Sequence, residues 1–161
     1  MSQPAPTPSA ESSRLLFNVF LIEQQVGAVL ARALEDIGVT PSEFAIYAAL
    51  EMHGEPITPS DLAARINVPR STLTGYLGAL DRRGHLERLP NPADGRSAYV
   101  RLTDTGRRTQ STAAAAALQV QADLDRRLGP ALEDVRQALV TLHEGLDAVL
   151  RDDRGTPSPA R

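Results

Sequence analysis

Residues 69–106 read PRSTLTGYLGALDRRGHLERLPNPADGRSAYVRLTDTG, and the hydrophobic period changes once along them. Leu73, Leu77 and Leu80 are spaced four and three apart, the spacing of one helix face. Pro69 suits the first turn of that helix and Gly84 its end. From His85 the period falls to two. HLERL and AYVRL each alternate, and Pro-Asn-Pro-Ala-Asp-Gly between them is loop chemistry, so residues 85–102 read as an antiparallel hairpin. Thr103 can then cap a further helix.

Working outward, ITPSDLAARI places Thr58 as a helix cap, Pro59 at the first helical position and Asp61 near the positive helix end. That helix stops near Ile66, and Asn67 supplies a left-handed turn. Upstream, VTPSEF repeats the logic: Thr40 and Glu43 form a capping box, Pro41 comes first, and Val39 can staple onto Phe44. The helix it opens runs to about Met52. Before it, Leu16, Phe20, Val26, Leu30, Leu34 and Ile37 predict a long first helix over Arg14–Ile37. After the hairpin, a helix through the Ala113–Ala117 run reaches about Leu128, where Gly129 and Pro130 break it. Leu132, Val135, Leu139, Leu142, Leu146 and Val149 then mark a sixth helix with a heptad-like stripe. Two short helices joined by a tight turn and followed at once by a hairpin make a winged helix-turn-helix. The fold class is mainly α with a small β-hairpin wing.

Composition narrows the function. The chain has 161 residues, 42% of them hydrophobic, enough for one globular domain. Residues 1–12 and 152–161 are Pro-rich and aperiodic and read as disordered tails. There is no secretory signal pattern, and no stretch is expected to reach the ~20 apolar residues of a membrane span, which predicts a cytoplasmic protein without a membrane partner. With no cysteine, disulfides, thiolate metal sites, cysteine nucleophiles and thiol redox sensing are excluded. His53, His85 and His143 lack ligand spacing, so no metal or other cofactor is expected. No Ser-His-Asp set, phosphate-binding glycine loop or paired carboxylates falls on adjacent elements, which argues against an enzyme.

Formal net charge is −3, but its distribution is uneven. Thr58–Arg108 holds nine arginines against five acids, whereas the rest holds eight against fifteen. A basic middle third in a winged helix-turn-helix points to double-stranded DNA, with the second helix of the motif in the major groove and the wing on phosphate or in the minor groove. Because Leu73, Leu77 and Leu80 face inward, Arg70, Ser71, Thr74 and Gly75 turn outward near the helix start, with Thr72 and Tyr76 at the margins. Arg96 is the wing-tip contact. Asp94, which phosphate would repel, supports the turn or holds Arg96.

These residues resemble the MarR family of bacterial transcription regulators: the recognition helix, the Asp-x-Arg wing signature at Asp94 and Arg96, and the helix start at Leu102, Thr103 and Gly106. The similarity covers the six-helix order and nearly all of the chain except the tails. It implies a homodimer built by residues 13–38 and 103–151, with residues 39–102 reading a palindromic operator, commonly as a repressor relieved by a small organic effector. It also implies a ligand pocket bordered by the first two helices, for which Phe17, Phe20, Phe44, Tyr47 and His53 are the candidates. Gly75 departs from the Arg or Lys of many relatives, so no side-chain contact carries over there. A winged-helix module that binds protein without DNA is the alternative reading.

Overall fold

The computed structural model describes residues 10–92, 94 and 97–155, with side chains from Arg14 to Arg151. The elements are α1 (Ala10–Leu34), α2 (Pro41–His53), α3 (Pro59–Arg65), α4 (Arg70–Arg82), β1 (Leu86–Pro90), β2 (Ala98–Leu102), α5 (Asp104–Leu128) and α6 (Leu132–Gly155). Short 3-10 turns follow α1 and α5. α1 begins and α6 ends a few residues inside the stretches read as tails; residues 1–9 and 156–161 of those tails lie outside the described residues. The chain divides into two compact units, Met1–Val120 and Gln121–Arg161.

In the first unit the helix starts follow the local chemistry. Glu43 N–H donates to Thr40 Oγ1 at 3.2 Å while Thr40 N–H donates to Glu43 Oε2 at 2.9 Å, closing the capping box of α2. Asp61 N–H donates to Thr58 Oγ1 at 3.1 Å at the start of α3. Asn67 takes φ 52°, turning the chain from α3 into α4, and Gly84 takes φ 68° to end α4. Pro69 is the N-cap of α4, one position earlier than a first-turn proline.

β1 and β2 pair antiparallel with Leu86 opposite Leu102 and Pro90 opposite Ala98. Ile57 adds a rung to β2 through Val100, with N···O distances of 3.1 and 2.8 Å. The strands thereby turn Leu86, Val100 and Leu102 into the same core as Ile46, Tyr47, Leu62, Leu73, Leu77 and Leu80. Truncating one of these leucines to alanine would cost about 2–5 kcal/mol.

α5 is pinned to the end of α4. Thr103 Oγ1 donates to the Gly84 carbonyl at 2.8 Å, and Gly106 N–H donates to Thr103 Oγ1 at 3.1 Å. A Cβ on Gly106 would lie 2.2 Å from the His85 carbonyl oxygen, so no side chain fits at that crossing.

α1 is different. Leu15, Leu16, Phe17, Phe20, Leu21, Ile22, Val26 and Val29 are all exposed. The helical stretch Arg14–Ile37 has mean hydropathy 1.3 and is, by length and composition, long and apolar enough to cross a membrane, which corrects the expectation that no stretch is. The reason is that the charges lie mostly at its ends: between Leu15 and Ala31 only Glu23 is charged, and the other polar side chains there are Asn18, Gln24 and Gln25. In the second unit α6 likewise leaves Leu139, Val140, Leu146, Val149 and Leu150 exposed.

Candidate nucleic-acid interface

α4 has two faces. Leu73, Leu77 and Leu80 are buried, whereas Arg70, Ser71, Thr72, Thr74 and Gly75 are exposed, as their spacing requires. Tyr76 is half-buried against the core cluster, which leaves one edge of its ring at the surface. Thr74 Oγ1 donates to the Arg70 carbonyl at 2.8 Å, so the hydroxyl proton stays within the helix and its lone pairs face outward. Arg70 has no carboxylate within ion-pair distance among the described residues, leaving its guanidinium available to a phosphate or a base edge. A Cβ on Gly75 would meet nothing within 4 Å. Packing therefore does not require glycine there, and the exposed backbone is open to close approach from outside.

The base of the wing is tied by its own turn. Asn91 Nδ2 donates to Ser97 Oγ at 2.7 Å, Asp94 N–H donates to the Asn91 carbonyl at 3.3 Å, and Ser97 N–H donates to the Asp94 carbonyl at 3.0 Å. Asp94 thus serves the turn through its backbone. Arg96, the wing-tip expectation, lies outside the described residues. Two other wing arginines are engaged on the surface: Arg88 with Asp81 at 3.3 Å and Arg101 with Glu87 at 2.5 Å.

Beneath the C-terminal end of α4 lies a polar cluster that sequence reasoning missed. Glu43 is 5% exposed, and its Oε1 meets Arg83 Nη2 at 3.1 Å while Oε2 caps α2. Burial alone would raise the Glu43 pKa; the Thr40 N–H and the Arg83 guanidinium outweigh it and hold the carboxyl below its ordinary value. Tyr47, expected in a ligand pocket, is fully buried, and its hydroxyl lies 2.6 Å from His85 Nδ1. Burial pushes the Tyr47 phenol up, and burial together with the Arg83 charge pushes His85 down. From the sequence alone Arg83 is a favourable charge near a helix C-terminus. Its partner is 40 positions away, and no local pattern announces that pairing.

Beside this cluster opens a cavity of about 430 Å³, walled by Ile37 and Val39 and by Arg83, His85, Arg108 and three α5 threonines. The aromatic set expected to border a pocket is not brought together around it. Phe17 and Phe20 are 59% and 52% exposed on α1, Phe44 packs against the core, and His53 sits 3.3 Å from Arg65 at the surface. Among the described residues no group of three His, Asp or Glu could hold a metal ion.

Comparisons with known proteins converge on one family. The MarR family model matches residues 37–97, which run from the turn before α2 through β1 and stop just before β2. The transcriptional activatory protein BadR of Rhodopseudomonas palustris is 30% identical over 147 residues, covering 89% of this chain and 83% of that protein. The multiple antibiotic resistance protein MarR of Salmonella typhimurium is 32% identical over 88 residues, 55% of this chain and 60% of that one. Among solved structures, the M. tuberculosis transcriptional regulator MOSR in complex with DNA is 30% identical with TM-score 0.70, covering 83% of this chain and 96% of its own. The transcriptional repressor CouR, bound to a 23-mer DNA duplex, is 25% identical with TM-score 0.73, covering 89% and 99%.

Proposed function

Since the chain belongs to the MarR family, whose members are transcriptional regulators and not enzymes, we propose that it is a dimeric, sequence-specific DNA-binding repressor of nearby genes, acting in the cytoplasm and released from its operator by a small organic ligand. The observation that carries this reading is the exposed Arg70, Ser71, Thr74 and Gly75 surface on a helix held rigid by Leu73, Leu77 and Leu80. A helix so anchored can enter the major groove without losing its seat in the core. Arg70 would neutralise a phosphate or read a guanine, Ser71 and Thr74 would meet base edges or backbone, and Gly75 would admit the duplex closely. Thr72 and the Tyr76 hydroxyl are placed for flanking phosphates, and Arg96 would reach the minor groove from the wing.

The uncovered apolar faces of α1 and α6 support dimerisation, since exposed arcs of this kind are costly in water unless a second copy covers them. A two-fold dimer then reads two half-sites about 10 bp apart. The ligand's place, on this reading, is the cavity beside Arg83 and His85, which border the end of α4 and the start of the wing. The test is an electrophoretic shift with the promoter DNA nearest the gene. An inverted repeat should be bound as one dimer, and inserting about five base pairs between half-sites should abolish tight binding. Equal affinity for the repeat and for scrambled DNA would leave the helix without a sequence-reading role.

A further inference from the structure

Arg82 stands at the centre of the outward face of α4. At 3.6 residues per turn, Ser71, Gly75, Gly78 and Arg82 fall on one stripe, opposite the buried Leu73, Leu77 and Leu80. An exposed arginine therefore sits where the helix is farthest from the core. Its charge is not used inside the protein. The two arginines nearest to it in sequence are engaged, Arg83 with Glu43 at 3.1 Å and Arg88 with Asp81 at 3.3 Å. Among the described residues Arg82 has neither a carboxylate within ion-pair distance nor a hydrogen-bond partner.

The direction of the side chain separates two roles. A cation that serves a helix end reaches forward to the last free carbonyls, where the negative end of the dipole lies. Arg82 runs the other way: its Nη1 lies 3.5 Å from the place a Cβ would take on Gly78, one turn back. The guanidinium is thus laid along the outward stripe, and it leaves Gly78 half-buried although that glycine faces away from the core. No atom of another element comes within 4 Å of a Cβ built on Gly75 or Gly78. Packing asks for glycine at neither position, even though glycine weakens a helix interior relative to alanine. Together they leave a shallow trough on the outermost face, and Arg82 is the side chain that lies over it.

We propose that Arg82 is a further sequence-reading residue of this helix, its planar guanidinium meeting the O6 and N7 acceptors of one guanine per half-site in the major groove. The inference rests on the DNA-binding reading of α4. When the helix lies in the groove, the stripe opposite the core faces the groove floor, while Thr72 and Tyr76 at the margin face its wall. Bare backbone at 75 and 78 lets the fork lie flat against a base edge, the geometry that two parallel N–H···acceptor bonds require. Gly78 is about 10 Å along the axis from Ser71, so the guanine lies some three base pairs from the bases met by the first turn. Base reading thereby extends to the middle of α4.

The experiment is selection of the full-length protein on random duplex DNA, followed by binding isotherms on the selected site and its single-base-pair variants at several salt concentrations. Wild type, Arg82→Ala and Arg82→Lys are compared, with thermal melts alongside. Wild type should enrich an inverted repeat with a guanine at a fixed place in each half-site. Arg82→Ala should melt like the wild type and lose the preference at that place alone, by roughly 10- to 100-fold against the other bases. Arg82→Lys should not restore it, because an ammonium keeps the charge and lacks the fork. If Arg82→Ala selects the same sequence as the wild type, the proposal is overturned. A lower salt slope with unchanged base preference, rescued by Arg82→Lys, also overturns it and makes Arg82 a phosphate contact. The DNA-binding reading is tested separately by the wild type: a protein that enriches no sequence overturns that reading and this one with it, whereas an enriched site indifferent to Arg82→Ala overturns Arg82 alone.

Discussion

Leu73, Leu77 and Leu80 of α4 are 1%, 2% and 0% exposed, while Leu16, Phe17 and Phe20 of α1 are 60%, 59% and 52% exposed, although both sets are apolar side chains on a helix. The difference separates a body that completes its own core from a helix that does not. The α2–β2 body surrounds α4 with α2, α3 and the wing, so its apolar surface is already out of water. α1 has no such cover along its first half. The body should therefore fold by itself, and α1 should stabilise the protein chiefly through a partner copy.

The sharpest way to break that contrast is at the junction of the body with α5. Gly106→Val puts a branched side chain where even a Cβ would lie 2.2 Å from a backbone oxygen, and the strand start cannot yield without losing the Thr103 cap. A loss on the order of 3 kcal/mol or more is expected, read as a collapse of the urea midpoint at any protein concentration. A variant melting like the wild type would mean that this crossing is looser than described.

Next in size is the uncovered helix. Leu16→Arg should leave the body folded but convert the proposed dimer to monomer in sedimentation, and operator affinity should fall by roughly 10²-fold or more as the second half-site becomes a separate binding event. Leu139→Arg tests α6 in the same way. A Leu16→Arg protein that stays dimeric would remove α1 from the interface.

On the exposed face of α4 smaller effects are expected. Thr74→Ala should relax discrimination at one base pair per half-site by about 1 kcal/mol with the salt dependence unchanged. Arg96→Ala should lower the salt slope by up to about one phosphate equivalent per wing, because a positioning charge and not a base reader is lost. Thermal melts of both should match the wild type; a destabilised Thr74→Ala would assign its hydroxyl a role in holding α4 through the Arg70 carbonyl.

The smallest effect concerns acid. The Glu43 carboxyl titrates below its ordinary value of 4.5 in the folded protein. Its contribution to stability is therefore present above about pH 4.5 and is lost as pH falls through the lower, folded value. Glu43→Gln should be less stable than the wild type at neutral pH, and the gap should narrow on acidification below 4.5. A gap independent of pH would mean that the capping hydrogen bond alone matters and the Arg83 charge does not.

Much of the fold was legible before the structure. Thr40 with Glu43, Thr58, Asn67, Gly84 and Thr103 act within a few residues of their partners, so their chemistry is written next to the backbone they serve. The outward set on α4 followed from the three leucines opposite it. The polar cluster was not legible: Glu43 carried a sufficient local explanation as a capping residue, Arg83 another as a helix-end cation, and Tyr47 looked like a ligand contact until it proved fully buried.

By itself the sequence determined where the inner helices start and stop, that a hairpin follows α4 and which side of α4 faces in, because periodicity and capping are interactions over three to five residues. Only the tertiary structure decided that Arg83 meets Glu43 across 40 residues, that the Tyr47 hydroxyl meets His85 Nδ1 across 38, and that Gly106 must be bare where α5 crosses the start of β1. It also decided which apolar stripes are covered. A stripe reads the same in sequence whether its cover comes from the same chain or from another, since the period records only that one face prefers to leave water.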